Sequence, residues 1–415
     1  MFEKYDAYKD SGVEWIGDIP IHWDVKNLRY AFDFLNHRRI PLSALERGNK
    51  QGRYPYYGAS GIIDYVDAYL FDEKLLLIAE DGANLLSKST PLAFLAEGKY
   101  WVNNHAHILK PKTEAYGFWE KLLCSVDYTV FITGAAQPKL SRENLGGIRL
   151  PIPPINEQLK IEKFIDQKTS EIDQAIAIKE QQIALLNERK QIVIQKAVTQ
   201  GLDPNVPMKD SGVEWIGQIP EHWNVIRAKY LFKEVEERSV LGNEELLSVS
   251  HLTGVTPRSE KNVSMFMAED YSGSKVCKRH DLVMNIMWAW MGALGVSDYD
   301  GIVSPAYGVY RQKIANTFNS EYLEYLLKTT KYIEHYNRVS TGLHSSRLRF
   351  YGHMFFNMKL GFPCLDEQSE IIVRIKNQTS KIELAVENLA NQIEKLKEYK
   401  TTLINDAVTG KIKVA

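Results

Sequence analysis

Residues 9–25 of this chain, KDSGVEWIGDIPIHWDV, return as residues 209–225, KDSGVEWIGQIPEHWNV, with changes only at Asp18/Gln218, Ile21/Glu221 and Asp24/Asn224. A second pair of segments repeats in the same order. Residues 157–201 and 367–410 share Glu157-Gln158 with Glu367-Gln368, Thr169-Ser170 with Thr379-Ser380, and Ala197-Val198-Thr199 with Ala407-Val408-Thr409. Chance does not place two matched pairs in one order, so the chain is two copies of one unit: an entry motif, a body and a long closing segment. The bodies, about residues 26–150 and 226–360, show no comparable match. The frame is duplicated and its cargo has diverged, which suggests two sites doing one kind of job on different targets.

The closing segments are helical. In the first, Ile161, Ile165, Ile172, Ile176, Ile183, Leu186, Val193 and Ala197 recur every three or four positions, and no Pro or Gly interrupts the run before Gly201. The period is that of a helix and the run is far too long for a strand. At ~1.5 Å per residue such a helix spans roughly 65–70 Å and needs a partner along its stripe. The second segment supplies one through Ile371, Ile375, Ile382, Leu389, Ile393 and Leu396. An antiparallel return is the economical pairing, because a parallel pair would force the second body to span the helix length. The expected fold class is α+β: two mixed α/β domains joined by two long antiparallel helices, with a pseudo-twofold axis from the internal duplication. The expected segments are a first domain over 1–152, a central helix over 153–201, a linker and second domain over 202–362, and a closing helix over 363–415.

Within the bodies, Leu75 to Ala79 and Trp101-Val102 read as buried strands and residues 118–126 as a short helix. In the second body residues 281–287 read as a strand and 320–336 as a helix. The Trp-bearing entry motifs read as packed caps, and residues 202–208, LDPNVPM, as a linker.

Composition narrows the class. A chain of 415 residues, 44% hydrophobic and 25% charged, has the make-up of a soluble protein of two or three domains. No apolar run approaches the ~18 residues of a membrane span. The N-terminus lacks the basic-then-apolar order of a signal peptide. Cys124, Cys277 and Cys364 have neither metal-ligand nor disulfide spacing, so a reducing cytoplasm is expected. A net charge of −1 argues against a sequence-blind polycation but allows a local basic face.

Catalytic motifs are missing. There is no phosphate-binding glycine loop, HExxH, GxSxG or paired CxxC. Glu80-Asp81 reads as an acidic turn running into Gly82 rather than as a metal site. His105 and His107 sit two apart, with no third ligand nearby, and read as hydrogen-bonding histidines. No metal or cofactor is expected on this chain.

Nucleic-acid chemistry is better represented. The first body holds Arg38, Arg39, Arg53, Tyr56, Tyr57, the Gly58–Gly61 loop with Ser60, and Asn84, Asn103, Asn104, Gln137 and Lys139. Residues 337–353 of the second body, NRVSTGLHSSRLRFYGH, carry Arg338, Thr341, His344, Ser345, Arg347 and Arg349 and no acid. Arg and Lys neutralise phosphates, while Asn, Gln and Arg read base edges. The first body has a counterpart, residues 133–142 (TGAAQPKLSR), at the same place before its long helix.

With these residues in hand the chain resembles the specificity (S) subunit of type I restriction–modification systems over nearly its whole length. The motifs that carry the resemblance are the duplicated entry segment, YYGASGIIDY (56–65), AEDGANL (79–85), WVNNHAHIL (101–109), IVSPAYGVYR (302–311) and the Pro-Pro-x-x-Glu-Gln lead into the first long helix. The second lead, Pro363-Cys364-Leu365-Asp366-Glu367-Gln368, lacks the second proline. The resemblance implies that each body is a target-recognition domain reading half of a bipartite, asymmetric DNA site, with the helix pair as the ruler for the unread gap. It implies two methyltransferase subunits that methylate adenine N6 with S-adenosylmethionine, and motor-nuclease subunits using ATP and Mg. It also adds His105, Asn285, Trp288 and Ser304 to the candidate DNA contacts. A competing reading is a non-catalytic helical adaptor that joins protein partners through exposed aromatics, which the 22 tyrosines permit. Salt-dependent binding to duplex DNA would argue against it.

Overall fold

The computed structural model describes residues 2–87, 89–134, 138–260, 270–342 and 347–414. The chain forms two compact units, residues 1–180 with 390–415, and residues 181–389. The division falls within the long helices rather than at their ends, so each unit holds one body and a length of both helices. No helix among the described residues is long and apolar enough to cross a membrane.

Each unit begins with its entry motif. Strand Tyr8–Asp10 pairs antiparallel with Asp18–Pro20, and Met208–Asp210 pairs likewise with Gln218–Pro220. Trp23 and Trp223 are buried beside Ile19 and Ile219. The next strand, Asp24–Asn27, pairs with Arg149–Ile152, the last strand before the first long helix; Asn224–Arg227 pairs with Lys359–Phe362 in the second unit. Chain entry and exit therefore lie side by side in both bodies, which clips together the two ends of each.

The Glu-Gln pair closes the clip. Glu157 accepts hydrogen bonds from Trp23 Nε1 at 2.8 Å and Tyr5 Oη at 3.3 Å, and pairs with His22 Nε2 at 2.6 Å. Glu367 accepts from Trp223 Nε1 at 3.0 Å and pairs with His222 Nε2 at 2.8 Å. Gln158 and Gln368 are buried. Gln158 donates to the Pro153 carbonyl and accepts from Thr113 Oγ1; Gln368 donates to the Thr317 and Pro363 carbonyls and accepts from the Asn319 amide.

The long helices run Ile155–Gln200 and Leu365–Val408, each ending on a glycine with positive φ, Gly201 at +79° and, two residues on, Gly410 at +77°. In the first unit Lys400 pairs with Asp173, and Lys179 donates to Gln392; in the second Lys190 pairs with Glu383. In the first unit one number falls as the other rises, so the pairing is antiparallel; in the second, Ile194 and Val198 near the end of the first helix share a core with Ile371 and Ile375 near the start of the second, the same sense. Ile161, Ile165, Ile172, Ile371, Ile375 and Ile393 are buried, and Ile176, Ile183, Leu186, Ile382, Leu389 and Leu396 are half-buried. Ile161 and Ile165 belong to the first body's core together with Ala407 and Val408, while Ile371 and Ile375 join the second body's core.

The bodies share more than their sequences reveal. The first contains an antiparallel sheet ordered Phe32–Phe34, Ala106–Pro111, Leu75–Ala79, Ala93–Ala96; the second contains one ordered Phe232–Glu234, Gly308–Gln312, Leu282–Met284, Leu294–Val296. Both place the first strand beside the last. They differ around it. The first body adds a four-stranded sheet of Gly61–Val66, Gln51–Gly58, Lys99–Val102 and Phe71–Asp72, whereas the second has the two-stranded ribbons Leu247–Ser250/Gly254–Pro257 and Lys275–Cys277/Gly301–Val303.

Two local expectations change. The strand read over 281–287 stops at Met284, because Asn285 turns the chain. The helix read over 320–336 is two helices, Ser320–Leu327 and Thr330–Val339. Thr329 separates them, its hydroxyl donating to the Leu326 carbonyl at the end of the first.

Candidate nucleic-acid interface

Three loops of the first body meet at the C-terminal end of strand Leu75–Ala79. One follows that strand through Glu80, Asp81 and Gly82, whose φ of +102° suits only glycine. The second, residues 103–105, joins Lys99–Val102 to Ala106–Pro111. The third is closed by an antiparallel bridge between Thr133 and Lys139. Backbone bonds tie them together: Leu140 N donates to Glu80 O at 2.8 Å, Gly82 N to Pro138 O at 3.1 Å and Glu80 N to His105 O at 2.9 Å. On the rim His105 Nδ1 meets Asp81 at 2.8 Å, and the His105 amide donates to Asn103 Oδ1 at 2.8 Å.

Beneath the rim lies a buried polar network. His107 is fully buried, its Nε2 2.8 Å from the Leu140 carbonyl and its Nδ1 2.8 Å from the Asn36 amide nitrogen. Only the Nε2–H tautomer satisfies both, with Nε2 donating and Nδ1 accepting. Burial pushes the imidazole pKa down, against the opposing pull of the Leu140 bond and the Glu80 charge. Arg39 donates to Glu80 at 2.6 Å and to the Ala106 carbonyl at 2.7 Å. Burial works to raise the Glu80 pKa, but the Arg39 bond and the neighbouring positive charges outweigh it and hold the carboxyl below its ordinary value.

The second body repeats the construction with other side chains. Its strand Leu282–Met284 ends at the buried Asn285, whose Oδ1 accepts from Met287 N at 3.1 Å while its amide donates to Tyr307 Oη at 3.0 Å. Tyr307 lies in residues 304–307, the counterpart of 103–105. The third loop is closed by a bridge between Thr341 and Arg349, and Phe350 N donates to Ile286 O at 3.0 Å as Leu140 N does to Glu80 O. The two segments matched by sequence before the long helices thus occupy one structural position. An amide–phenol bond in the second body replaces the His105–Asp81 pair of the first.

The candidate residues divide by what they touch. Exposed on or beside the rims are Asn104, His105, Lys139, Trp288, Arg338, Thr341 and Arg347; Arg53 and Ser60 are exposed on the Gln51–Gly58/Gly61–Val66 hairpin. Arg349 is half-buried and donates to the Leu348 carbonyl, and Ser304 is half-buried and caps the Ala306 amide. Asn84 staples its own loop through Ser89 and Thr90. Asn103 and Asn285 are buried positioning groups. Gln137, His344 and Ser345 lie outside the described residues. One candidate, Tyr56, is corrected, and two, Arg39 and Arg38, are engaged within the fold, Arg38 while still exposed. Tyr56 is fully buried, its hydroxyl held at Leu42. Arg39 is consumed by Glu80 and by carbonyls that the strand end would otherwise leave unpaired. Arg38 is paired with Glu73 at 2.7 Å and lies over the Phe71 ring. Tyr57 is partly lost to the core, stacked on Phe94. His105 sits in the turn that precedes the strand carrying His107. Sequence reasoning missed Asp81 as the partner of His105 and Tyr307 as the clamp on Asn285; the alignable signal was the equal place of NNHAH and SPAYG after an apolar strand.

A family model described as the type I restriction modification DNA specificity domain matches residues 20–188. A Haemophilus influenzae protein described as a type I restriction enzyme specificity subunit is 34% identical over 151 residues, covering 36% of this chain and 38% of that relative. That match thus spans well under half of either protein. The type I restriction enzyme MjaVIII specificity subunit of Methanocaldococcus jannaschii is 24% identical over 422 residues, covering 95% of this chain and 94% of the relative. Among solved structures, a chain from work on assembly and conformational transition of the type I R-M system aligns with a TM-score of 0.63 at 14% identity, covering 94% of this chain and 98% of its own. The HsdS subunit from Thermoanaerobacter tengcongensis aligns with a TM-score of 0.52 at 12% identity, covering 95% and 98%. At these identities the structural likeness is one of fold.

Proposed function

The chain belongs to the type I restriction–modification specificity-subunit family, and from that premise we propose that its two bodies each read one half of a bipartite, asymmetric DNA site. The chain is the non-catalytic, sequence-recognising member of such a system. One observation carries the two-reader assignment: the same three-loop rim stands at the end of the same four-stranded sheet in both bodies, dressed with different side chains. A common frame gives a common way of meeting the duplex; different rims give different half-sites. Arg347, Arg338, Lys139 and Arg53 supply charge for phosphates, and Asn104, His105 and Thr341 supply donors and acceptors for base edges.

In this reading catalysis belongs to partners. Two methyltransferase subunits bring S-adenosylmethionine and methylate adenine N6 in each half-site, flipping the base to reach it. Motor-nuclease subunits bring ATP and Mg for translocation and cleavage. The assembly works in the cytoplasm, and the paired long helices set the unread spacer.

The test is the adenine methylome of a methylation-free host expressing this chain with its cognate methyltransferase subunit. N6-methyladenine on both strands of one split motif, absent without this chain, is the expected result. No new methylation from an assembled complex overturns the reading, and a lack of salt-dependent duplex binding would then point to the adaptor.

A further inference from the structure

Trp288 stands out on the second rim. Its indole is 47% exposed, although tryptophan is a residue that folding ordinarily covers. The loop that presents it is held rigidly. The buried Asn285 accepts from the Trp288 and Ala289 amides at 2.9 and 2.7 Å through its carbonyl, and from Met287 through its side chain. A single 3-10 turn, Ala289–Met291, follows and ends on Gly292 at φ +84°. The Trp290 ring lies against Trp288 at 6.0 Å and 27°, and its Nε1 is tied to the Met287 carbonyl. One indole is thus anchored and the other stacked on it with a face left over.

The surroundings indicate what that face meets. Ile286, two residues before Trp288, accepts the Phe350 amide, which joins the backbone of the Trp288 loop to that of the loop carrying Arg347 and Arg349. Helix Thr330–Val339, ending at the exposed Arg338, packs against the Ala289–Met291 turn. An exposed indole on a rim whose third loop carries Arg347 suits a nucleic acid, whose phosphates take the charge and whose bases offer a π-face. An exposed Trp on a rim with arginines also suits a protein partner, so that occupant is an outcome of the experiment below; the shared place of the rim in both bodies favours the duplex. Counting from the matched sheet registers, the first body's loop offers Gly82 where the second offers Trp288.

We propose that Trp288 is a specificity-determining residue that stacks on, or wedges beside, a base of the half-site read by the second body, with Trp290 as its support. The proposal rests on the two-reader assignment above. The two bodies then use different physics. The first reads by polar contact, while the second adds a local unstacking that favours a deformable base step in its half-site.

The experiment uses the complex of this chain with its methyltransferase subunit and duplexes carrying 2-aminopurine at successive positions of the second half-site, the target adenine excepted. One position is expected to brighten with the parent and with W288F, and to stay quenched with W288A. Affinity for the cognate duplex should fall about tenfold in W288A, the size of one lost base–aromatic stack, with an unchanged salt slope because no phosphate contact is removed. Discrimination against changes in the first half-site should hold. If the parent discriminates at both half-sites and W288A behaves like it, or if no position brightens, the proposal is wrong. If W288A instead frees the methyltransferase subunit on gel filtration, Trp288 is a protein contact and the proposal is again wrong. A parent complex that discriminates at neither half-site would fail the two-reader assignment itself, a separate outcome.

Discussion

Gln368 is wholly buried at the start of the second long helix, and its amide holds three backbone groups: the Asn319 amide and the Thr317 and Pro363 carbonyls. Q368A strands all three and should cost about 2–3 kcal/mol in urea unfolding. Q368E should cost more, because a buried carboxylate would face two carbonyls with no cation nearby. His335 makes a pH prediction. Burial, aided by the Arg338 charge, pushes its pKa from 6.5 down to about 4, with the ring stacked 4.3 Å from Trp215. Unfolded, the ring takes a proton as pH falls through 6.5; folded, it stays neutral until about 4. Its contribution is therefore whole above pH 6.5, lost progressively between 6.5 and 4, and constant below that. Thermal melts of the parent should show this loss, and H335Q should show a flatter profile over that window. Neither residue's role was legible beforehand. Gln368 was visible only as half of a repeated pair, and nothing in one dimension says that its amide reaches Thr317 or that His335 lies on Trp215.

On the rim loops, side chains exposed to meet the proposed duplex stand apart from those bonded within the loop. R347A and K139A remove exposed charges, so each should weaken duplex binding evenly across sequences and lower the log–log salt slope by about 1. R39A should act differently. It takes from Glu80 its 2.6 Å partner, leaving Lys139 at 3.6 Å, and takes the Arg39 bond from the Ala106 carbonyl, costing about 1–3 kcal/mol of stability in the first body while the salt slope holds. If R39A lowers the slope with no loss of stability, Arg39 is a phosphate contact after all. In composition Arg38 and Arg39 look like Arg347; what distinguishes them is the neighbourhood of Glu73, Glu80 and an uncovered strand end, which only the fold assembles. The common sheet of the bodies was hidden for a related reason. A strand order is fixed by backbone bonds, and these are indifferent to Ala79 standing where the other body has Asn285, or to His107 standing opposite Gly308.

At the level of the whole chain far more was legible, because a duplication is written in the letters themselves. The clip, the Glu-Gln closure and the paired stripes recur wherever their residues recur, and the bodies hang between as exchangeable inserts. The proposal that the helices set the spacer yields the sharpest remaining test. Lys400–Asp173 and Lys179–Gln392 in one unit and Lys190–Glu383 in the other each join residues whose numbers add to between 571 and 573. Inserts must therefore go in opposite one another, after Ile183 and after Leu389. Seven residues suit better than four. At about 100° per residue four turn the stripe by roughly 40°, whereas seven fall only about 20° short of two full turns, so the apolar faces still meet. Seven residues lengthen each helix by about 10.5 Å, the rise of roughly three base pairs of duplex. The methylome of the paired insertion should show both half-sites unchanged and a spacer about three base pairs longer. An insert in one helix alone puts its stripe out of register with its partner and should abolish methylation. An unchanged spacer with the paired insert present would mean that something other than the helices measures the gap.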